Sequence, residues 1–314
     1  MVRGVERAGN GQGRRGFLRF VLGFLVVAPG CAPPDLLPIQ PDGLPERSVA
    51  YLHPDRITTF QIEEGVVYRS IRSGEEPWYL HLIEVDALRC DLGFRVVRAG
   101  EEEGRASVLA MARRSEPGVI AAINGDFFTP EDLPLGVEVS EGELRNRTSR
   151  PVFAWKPGEL PWVGPVSWKE GTLQLGSWST TTKPDPGVQV VAGFPALLEG
   201  GTIVGDLELV DRPEFAAERH PRTAIGFDSE RSRLWFAVVE GRREGVSEGM
   251  TLPELASLFQ SLGAGEAINL DGGGSSIMVI RGATVSRPSD PVGTRPVVNA
   301  LVLRQDSAYC SGRP

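Results

Sequence analysis

The sequence predicts an α+β fold, a single glycine-rich domain in which mixed β-sheet is flanked by a few helices. Three observations carry that expectation. The 314 residues include 38 glycines, enough to turn the chain many times between short strands. No proline or serine tract divides the chain centrally, so one core is expected rather than two. Strand-like runs dominate, and only two segments carry a clear helical pattern.

Residues 1–30 stand apart from the fold. Arg14-Arg15-Gly16-Phe17-Leu18-Arg19 precedes an apolar stretch from Phe20 to Val27 that ends in Ala28-Pro29-Gly30-Cys31. This reads as a twin-arginine-like export signal closing in a lipoprotein box, with Cys31 as the lipidation site. The stretch falls far short of the ~20 apolar residues of a spanning helix. Cleavage would remove five arginines and one glutamate, taking the formal charge from −8 to −12. The expected product is exported, extracytoplasmic and held to a membrane only by a lipid anchor at Cys31. Proline-rich residues 31–48 read as a tether, 49–306 as the domain and 307–314 as a C-terminal tail.

Within the domain, residues 66–70, 78–85 and 94–97 alternate in polarity and mix β-branched with aromatic side chains, as antiparallel strands do. A helix is expected over 106–114. Pro117-Gly118 stops it, and the run 119–123 follows, ending in Asn124-Gly125-Asp126-Phe127-Phe128. Thr251-Leu252-Pro253-Glu254 is a capping box that announces a second helix with the apolar face Leu255, Leu258, Phe259 and Leu262. Gly263 suits its left-handed end. That helix feeds 266–270 and then Asn269-Leu270-Asp271-Gly272-Gly273-Gly274-Ser275-Ser276. The chain therefore twice builds helix, glycine, short apolar strand, then Asn, Asp and Gly.

Strand ends are where side chains escape a core, and ligands bind there in helix-backed sheets. If the two strands are neighbours, Asp126 and Asp271 face one pocket, where two carboxyls can divide acid and base work. The alternative is that both aspartates only bond turn backbones. Three glycines admit the backbone close to a ligand, and Ser275 and Ser276 add hydroxyls. Arg222 and Thr223, after His220-Pro221, enter a strand expected to be buried. A guanidinium there calls for a carboxylate partner or an anionic ligand. Glu240-Gly241-Arg242 ends the next apolar strand.

Other chemistries lose support. The net charge of −8 and the absence of a basic stripe interleaved with aromatics argue against nucleic acid. The three histidines, His53, His81 and His220, have no zinc-ligand spacing. The glycine run lacks both the Gly-Lys-Ser/Thr ending of a P-loop and the G-x-G-x-x-G spacing, and Ser275 is not within G-x-S-x-G. Cys90 and Cys310 either pair across the chain or stay as two buried thiols. The sequence requires no cofactor, although a divalent cation on the aspartates is an alternative.

Taken in order, Asn124-Gly125-Asp126-Phe127-Phe128, His220-Pro221-Arg222-Thr223-Ala224-Ile225-Gly226, Glu240-Gly241-Arg242, Gly249-Met250-Thr251-Leu252 and the segment from Asn269 to Ser276 resemble the phosphodiester glycosidase family. The resemblance covers about residues 60–305. It implies a hydrolase that cleaves a sugar from a phosphodiester at the anomeric carbon, releasing free sugar and a phosphomonoester, with a sugar-phosphate or glycan as substrate. It further implies Asp126, Asp271 or Glu240 as nucleophile or base, Arg222 with Thr223 at the phosphate, and backbone donors from Gly272, Gly273, Gly274, Ser275 and Ser276. Asn124 and Asn269 would orient sugar hydroxyls or the carboxylates. Phe127 and Phe128 would supply an apolar wall or fill the core. The chain departs from the family at Asp126, where glycine is common, and at Glu240, where aspartate is usual. A saccharide-binding lipoprotein and a metal-dependent phosphodiesterase are the competing readings. Paired carboxyls at strand ends favour the glycosidase over a mere binder, and chelator sensitivity would mark the metal enzyme.

Overall fold

A computed structural model gives the fold of residues 43–312, apart from residues 101, 206, 208–211 and 231. The export signal, Cys31 and the tether up to residue 42 lie outside the described residues. The strand Tyr79–Asp86 shows how the layers arise. Alternation sends Leu80 and Leu82 to one face and His81, Ile83 and Val85 to the other, and all five are buried. A strand buried on both faces needs a layer on each side.

That strand sits in an eight-stranded sheet ordered Pro54–Glu63, Val66–Ser73, Tyr79–Asp86, Arg233–Val239, Arg222–Asp228, Ala264–Asn269, Ala196–Glu199 and Thr202–Ile203. A five-stranded sheet is ordered Ala283–Thr284, Met278–Ile280, Val119–Asn124, Asn299–Gln305 and Leu92–Arg98. Ile83, Ile225, Phe236 and Ile268 of the first pack with Phe94, Ile123 and Leu301 of the second in one core. On the other face of the large sheet, Leu255, Leu258, Phe259 and Leu262 of the helix Leu252–Leu262 bury Leu80, Ala224 and Trp235. The helix Val108–Arg114 covers Ala122, Val279, Ala300 and Val302 of the smaller sheet. The layers therefore run helix, sheet, sheet, helix. A second five-stranded sheet, built on Glu138–Ser140, Val152–Trp155 and Gln189–Ala192, closes one side.

The predicted α+β class holds, and so do both helices. Ser107 Oγ accepts from Ala110 N–H at 3.1 Å, the Thr251 and Glu254 capping box is complete, and Gly263 has φ 93°. The expected mixture of parallel and antiparallel pairing does not hold, because every described pairing is antiparallel. The physical reason is an inserted strand. Leu92–Arg98 and Val119–Asn124, joined through the first of these helices, run parallel, but Asn299–Gln305 lies between them and pairs antiparallel with both. Arg233–Val239 and Ala264–Asn269, joined through the second, are likewise separated by Arg222–Asp228. The two halves that repeat in sequence repeat in topology.

The two domain boundaries also shift. The first described helix, Glu46–Leu52, buries Ser48 and Leu52, so residues 46–48 pack with the domain rather than serve as tether. The expected tail is a short helical turn, Ser307–Gly312, in which Tyr309 packs 5.0 Å from Trp155 and Cys310 forms a disulfide with Cys90, with 4.7 Å between Cα atoms. The bridge closes a loop across 220 residues, which strips entropy from the unfolded chain. Cys310→Ser is expected to lower the unfolding free energy by about 2–5 kcal/mol in urea denaturation. An unchanged midpoint would show that the bridge adds nothing.

Candidate active site

The two strands that end in asparagine lie in different sheets, yet their ends meet. Asp271 N–H donates to Gly125 O at 3.0 Å, and Asn124 Nδ2 donates to Asp271 O at 2.6 Å. Asn124 Oδ1 accepts from Thr223 Oγ1 at 2.8 Å and from Ile277 N–H at 3.2 Å. Asn124 and Thr223, both fully buried, are thus the rivet joining the sheets, with their side-chain oxygens and the Asn124 amide bonded within the protein. This corrects their assignment to substrate binding. The physical reason is that a buried amide must satisfy its own donors and acceptor first.

Asp126 is 1% exposed. Its N–H donates to Asn299 Oδ1 at 2.9 Å, while Asn299 Nδ2 donates to Glu138, itself paired with Arg98. Its Oδ2 accepts from Gly136 N–H at 2.6 Å, and its Oδ1 finds no protein partner. Burial pushes this carboxyl up to about 8, against the opposing effect of the Gly136 N–H and Arg150. Asp126 is therefore a protonated acid at neutral pH. Asp271 is partly exposed, and burial pushes it up only to about 6. The Ser275 hydroxyl close by, which makes no hydrogen bond of full geometry, the Gly272 N–H at 2.9 Å and the Arg295 charge hold it down. Each shift arises chiefly from burial, so the environments, not mutual repulsion, set the two carboxyls apart.

The polar atoms around this junction are under-satisfied. Asn269 Nδ2 donates to Phe194 O at 2.8 Å, but Asn269 Oδ1, Ser275 Oγ and Ser276 Oγ, like Asp126 Oδ1, have no hydrogen-bond partner. Buried polar atoms without a protein partner are rare in folded proteins, and here four of them cluster at one junction. Beside them, Phe127 meets Phe215 edge-on at 5.9 Å, and Arg150 lies over both Phe127 and Phe194. Phe128 instead packs against the helix Val108–Arg114.

Two further assignments are corrected. Arg222, 1% exposed, has neither the carboxylate nor the open face expected of it. Its Nε donates to Met250 O at 2.8 Å, and its Nη2 to Phe215 O at 2.7 Å and Glu218 O at 3.1 Å. Carbonyl dipoles solvate the cation, and burial brings its pKa down to about 10, still charged at neutral pH. Glu240 is not a free carboxylate. Its Oε1 accepts from His81 Nε2 at 2.9 Å and Arg287 N–H at 2.7 Å, and Arg243 takes Oε2. Burial alone would raise its pKa, but His81, Arg287 and Arg243 together hold it below the usual range. The glycine loop also spends most of its backbone donors on itself. Gly272 donates to Asp271, Gly273 to Pro221 O, Ser275 to Gly272 O and Ser276 to Gly273 O.

Asn299, Glu138, Gly136, Arg150 and His81 were not singled out by sequence. The signal for Asn299 is a polar residue at the head of the apolar run Ala300 to Leu303, and for His81 a polar residue between Leu80 and Leu82. Among the described residues no three His, Cys, Asp or Glu side chains converge to hold a metal ion.

Two carboxyls raised to different extents by burial thus flank a glycine loop and a cluster of phenylalanines. The chain belongs to the phosphodiester glycosidase family, whose sequence model matches residues 117–304, more than half of its length. It is 31% identical over 210 residues to mouse N-acetylglucosamine-1-phosphodiester alpha-N-acetylglucosaminidase, covering 60% of this chain and 38% of that protein. The bovine enzyme of the same name is 32% identical over 200 residues, covering 59% and 35%. The chain thus spans little more than a third of these relatives. In fold it resembles a hypothetical protein from Synechocystis, with TM-score 0.62 and 18% identity over 80% of this chain and 64% of that one. It also resembles the zebrafish catalytic domain auto-inhibited by its pro-peptide, with TM-score 0.56 and 24% identity over 80% and 82%.

Proposed function

We propose that this protein hydrolyses sugar-1-phosphodiesters by breaking the bond between the anomeric carbon and the phosphate oxygen. The observation that carries the reading is the meeting of two strand ends from different sheets, where Asp271 N–H bonds Gly125 O at 3.0 Å, so that Asp126 and Asp271 follow one junction with carboxyls that burial raises to about 8 and about 6. Asp271 is the ionised member and either attacks the anomeric carbon or takes a proton from attacking water. The bonding electrons depart on the phosphate oxygen, and water supplies the new hydroxyl of the sugar. A phosphate leaving group needs little protonation, so the proton on Asp126 serves to bond a substrate oxygen as charge develops. The aromatic wall of Phe127, Phe194 and Phe215 suits the apolar face of a sugar ring. The disulfide suits an oxidising compartment, which supports placing the protein outside the cytoplasm.

The test is to incubate the full chain with a panel of sugar-1-phosphodiesters in isotopically labelled water and analyse the products. Free sugar carrying the label, with an unlabelled phosphomonoester, is expected. Label on phosphate would mean P–O cleavage and sink the reading, and no product across the panel would favour a binding protein.

A further inference from the structure

Arg222 is tied down by carbonyls, so the phosphate requires another cationic partner, and the glycine loop shows where it lies. Arg242 and Arg295 converge on one carboxylate. Arg295 Nε and Nη2 donate to Asp290 at 2.9 and 3.2 Å, and Arg242 Nη1 stands 3.6 Å from the same group. The unit carries net positive charge. Its cations are the exposed members, at 44% and 40% for Arg242 and Arg295 against 18% for Asp290. The carboxylate sits behind and fixes both guanidiniums while leaving their outer edges open.

This unit lies on the loop that follows Asp271. A Cβ added to Gly273 would come within 2.8 Å of the Arg242 guanidinium, and one added to Gly274 within 2.5 Å of Arg295 while colliding with Asp290. The two glycines are therefore bare because the clamp occupies their side-chain space. Arg242 holds φ 60°, a left-handed backbone uncommon outside glycine and found where surrounding structure enforces a position. Its N–H donates to Glu248 O at 3.3 Å. Glu240, two residues earlier, binds Arg287 N–H and so pins the start of the segment that carries Asp290 and Arg295. Glu240 is thus a positioning residue.

We propose that Arg242 and Arg295, braced by Asp290 over Gly273 and Gly274, form the subsite for the phosphodiester oxygens of the substrate. This rests on the reading that phosphate is the leaving group. Paired forks match non-bridging phosphate oxygens, and the phosphate gains negative charge as the anomeric bond breaks, so the clamp binds the departing group more tightly than the intact diester. The substrate class follows: a sugar whose anomeric substituent is an anionic phosphodiester, in preference to a neutral glycoside.

The experiment measures kcat/KM of the full chain and of the Arg295→Gln, Arg295→Lys and Arg242→Gln/Arg295→Gln variants on a sugar-1-phosphodiester and on the nitrophenyl glycoside of the same sugar. Calorimetry with inorganic phosphate runs in parallel. Arg295→Gln should lose about 10- to 100-fold on the diester, the value of one charge-assisted contact, with a loss at least tenfold smaller on the neutral glycoside. Phosphate affinity should fall in step, and less in Arg295→Lys, which keeps the charge. Equal losses on both substrates, or undiminished phosphate binding in the double variant, would overturn the clamp. If the wild type cleaves no diester yet binds phosphate through these arginines, the hydrolytic reading fails and the anion subsite stands.

Discussion

Asp271→Asn lowers kcat on a sugar-1-phosphodiester by about 10²–10⁴-fold, the usual contribution of a positioned acid or base. The substitution is well suited to the question because it is nearly isosteric. Asparagine keeps an oxygen for the Gly272 N–H, now at 2.9 Å from Asp271 Oδ1, and leaves the backbone bonds to Gly125 and Asn124 untouched. It removes only the negative charge. Melting temperature and far-UV circular dichroism should therefore match the wild type while turnover collapses. A variant retaining a tenth of wild-type activity would exclude Asp271 as the group that attacks or activates water.

The second large effect is on pH. With Asp271 titrating at about 6 and Asp126 at about 8, the active form has the first ionised and the second protonated. Activity rises as Asp271 loses its proton and falls as Asp126 loses its own, giving a bell whose maximum lies between the two values. The sign follows from burial, which disfavours the charged carboxylate in both but more strongly in the deeper Asp126. Asp126→Asn cannot ionise, so the alkaline limb should disappear while the acid limb stays. A wild-type rate that climbs steadily past the upper value would remove Asp126 from the role of acid.

Local chemistry made much of this legible in the sequence. The capping box at Thr251, the left-handed Gly263 and the apolar runs 119–123 and 266–270 are decided within a few residues, and each stands where expected. The junction of the two carboxyls was legible as a repeated pattern of strand, Asn and Asp, but not as geometry, because the strands belong to different sheets. The misassigned residues failed for one reason. Thr223, Asn124 and Glu240 are satisfied by partners that sequence places far away, such as His81 for Glu240, 159 positions earlier, and Arg222 by backbone carbonyls that no residue pattern marks. Polar residues in apolar strands announce that a partner exists without naming it. Arg295 and Asp290 lie in a segment without secondary-structure pattern, where only the folded loop shows that they straddle two glycines.

Asp126 and Asp271 follow strands of separate sheets, and the rivet at Asn124 holds only one end of each. The gap between them is therefore a property of the inter-sheet core, where Ile123 and Ile268 stand close behind the two strand ends. Enlarging or trimming such side chains would act as a shim, tilting one sheet against the other and resizing the space for the sugar. A lineage could thus change the girth of its substrate while every residue that touches it stayed the same.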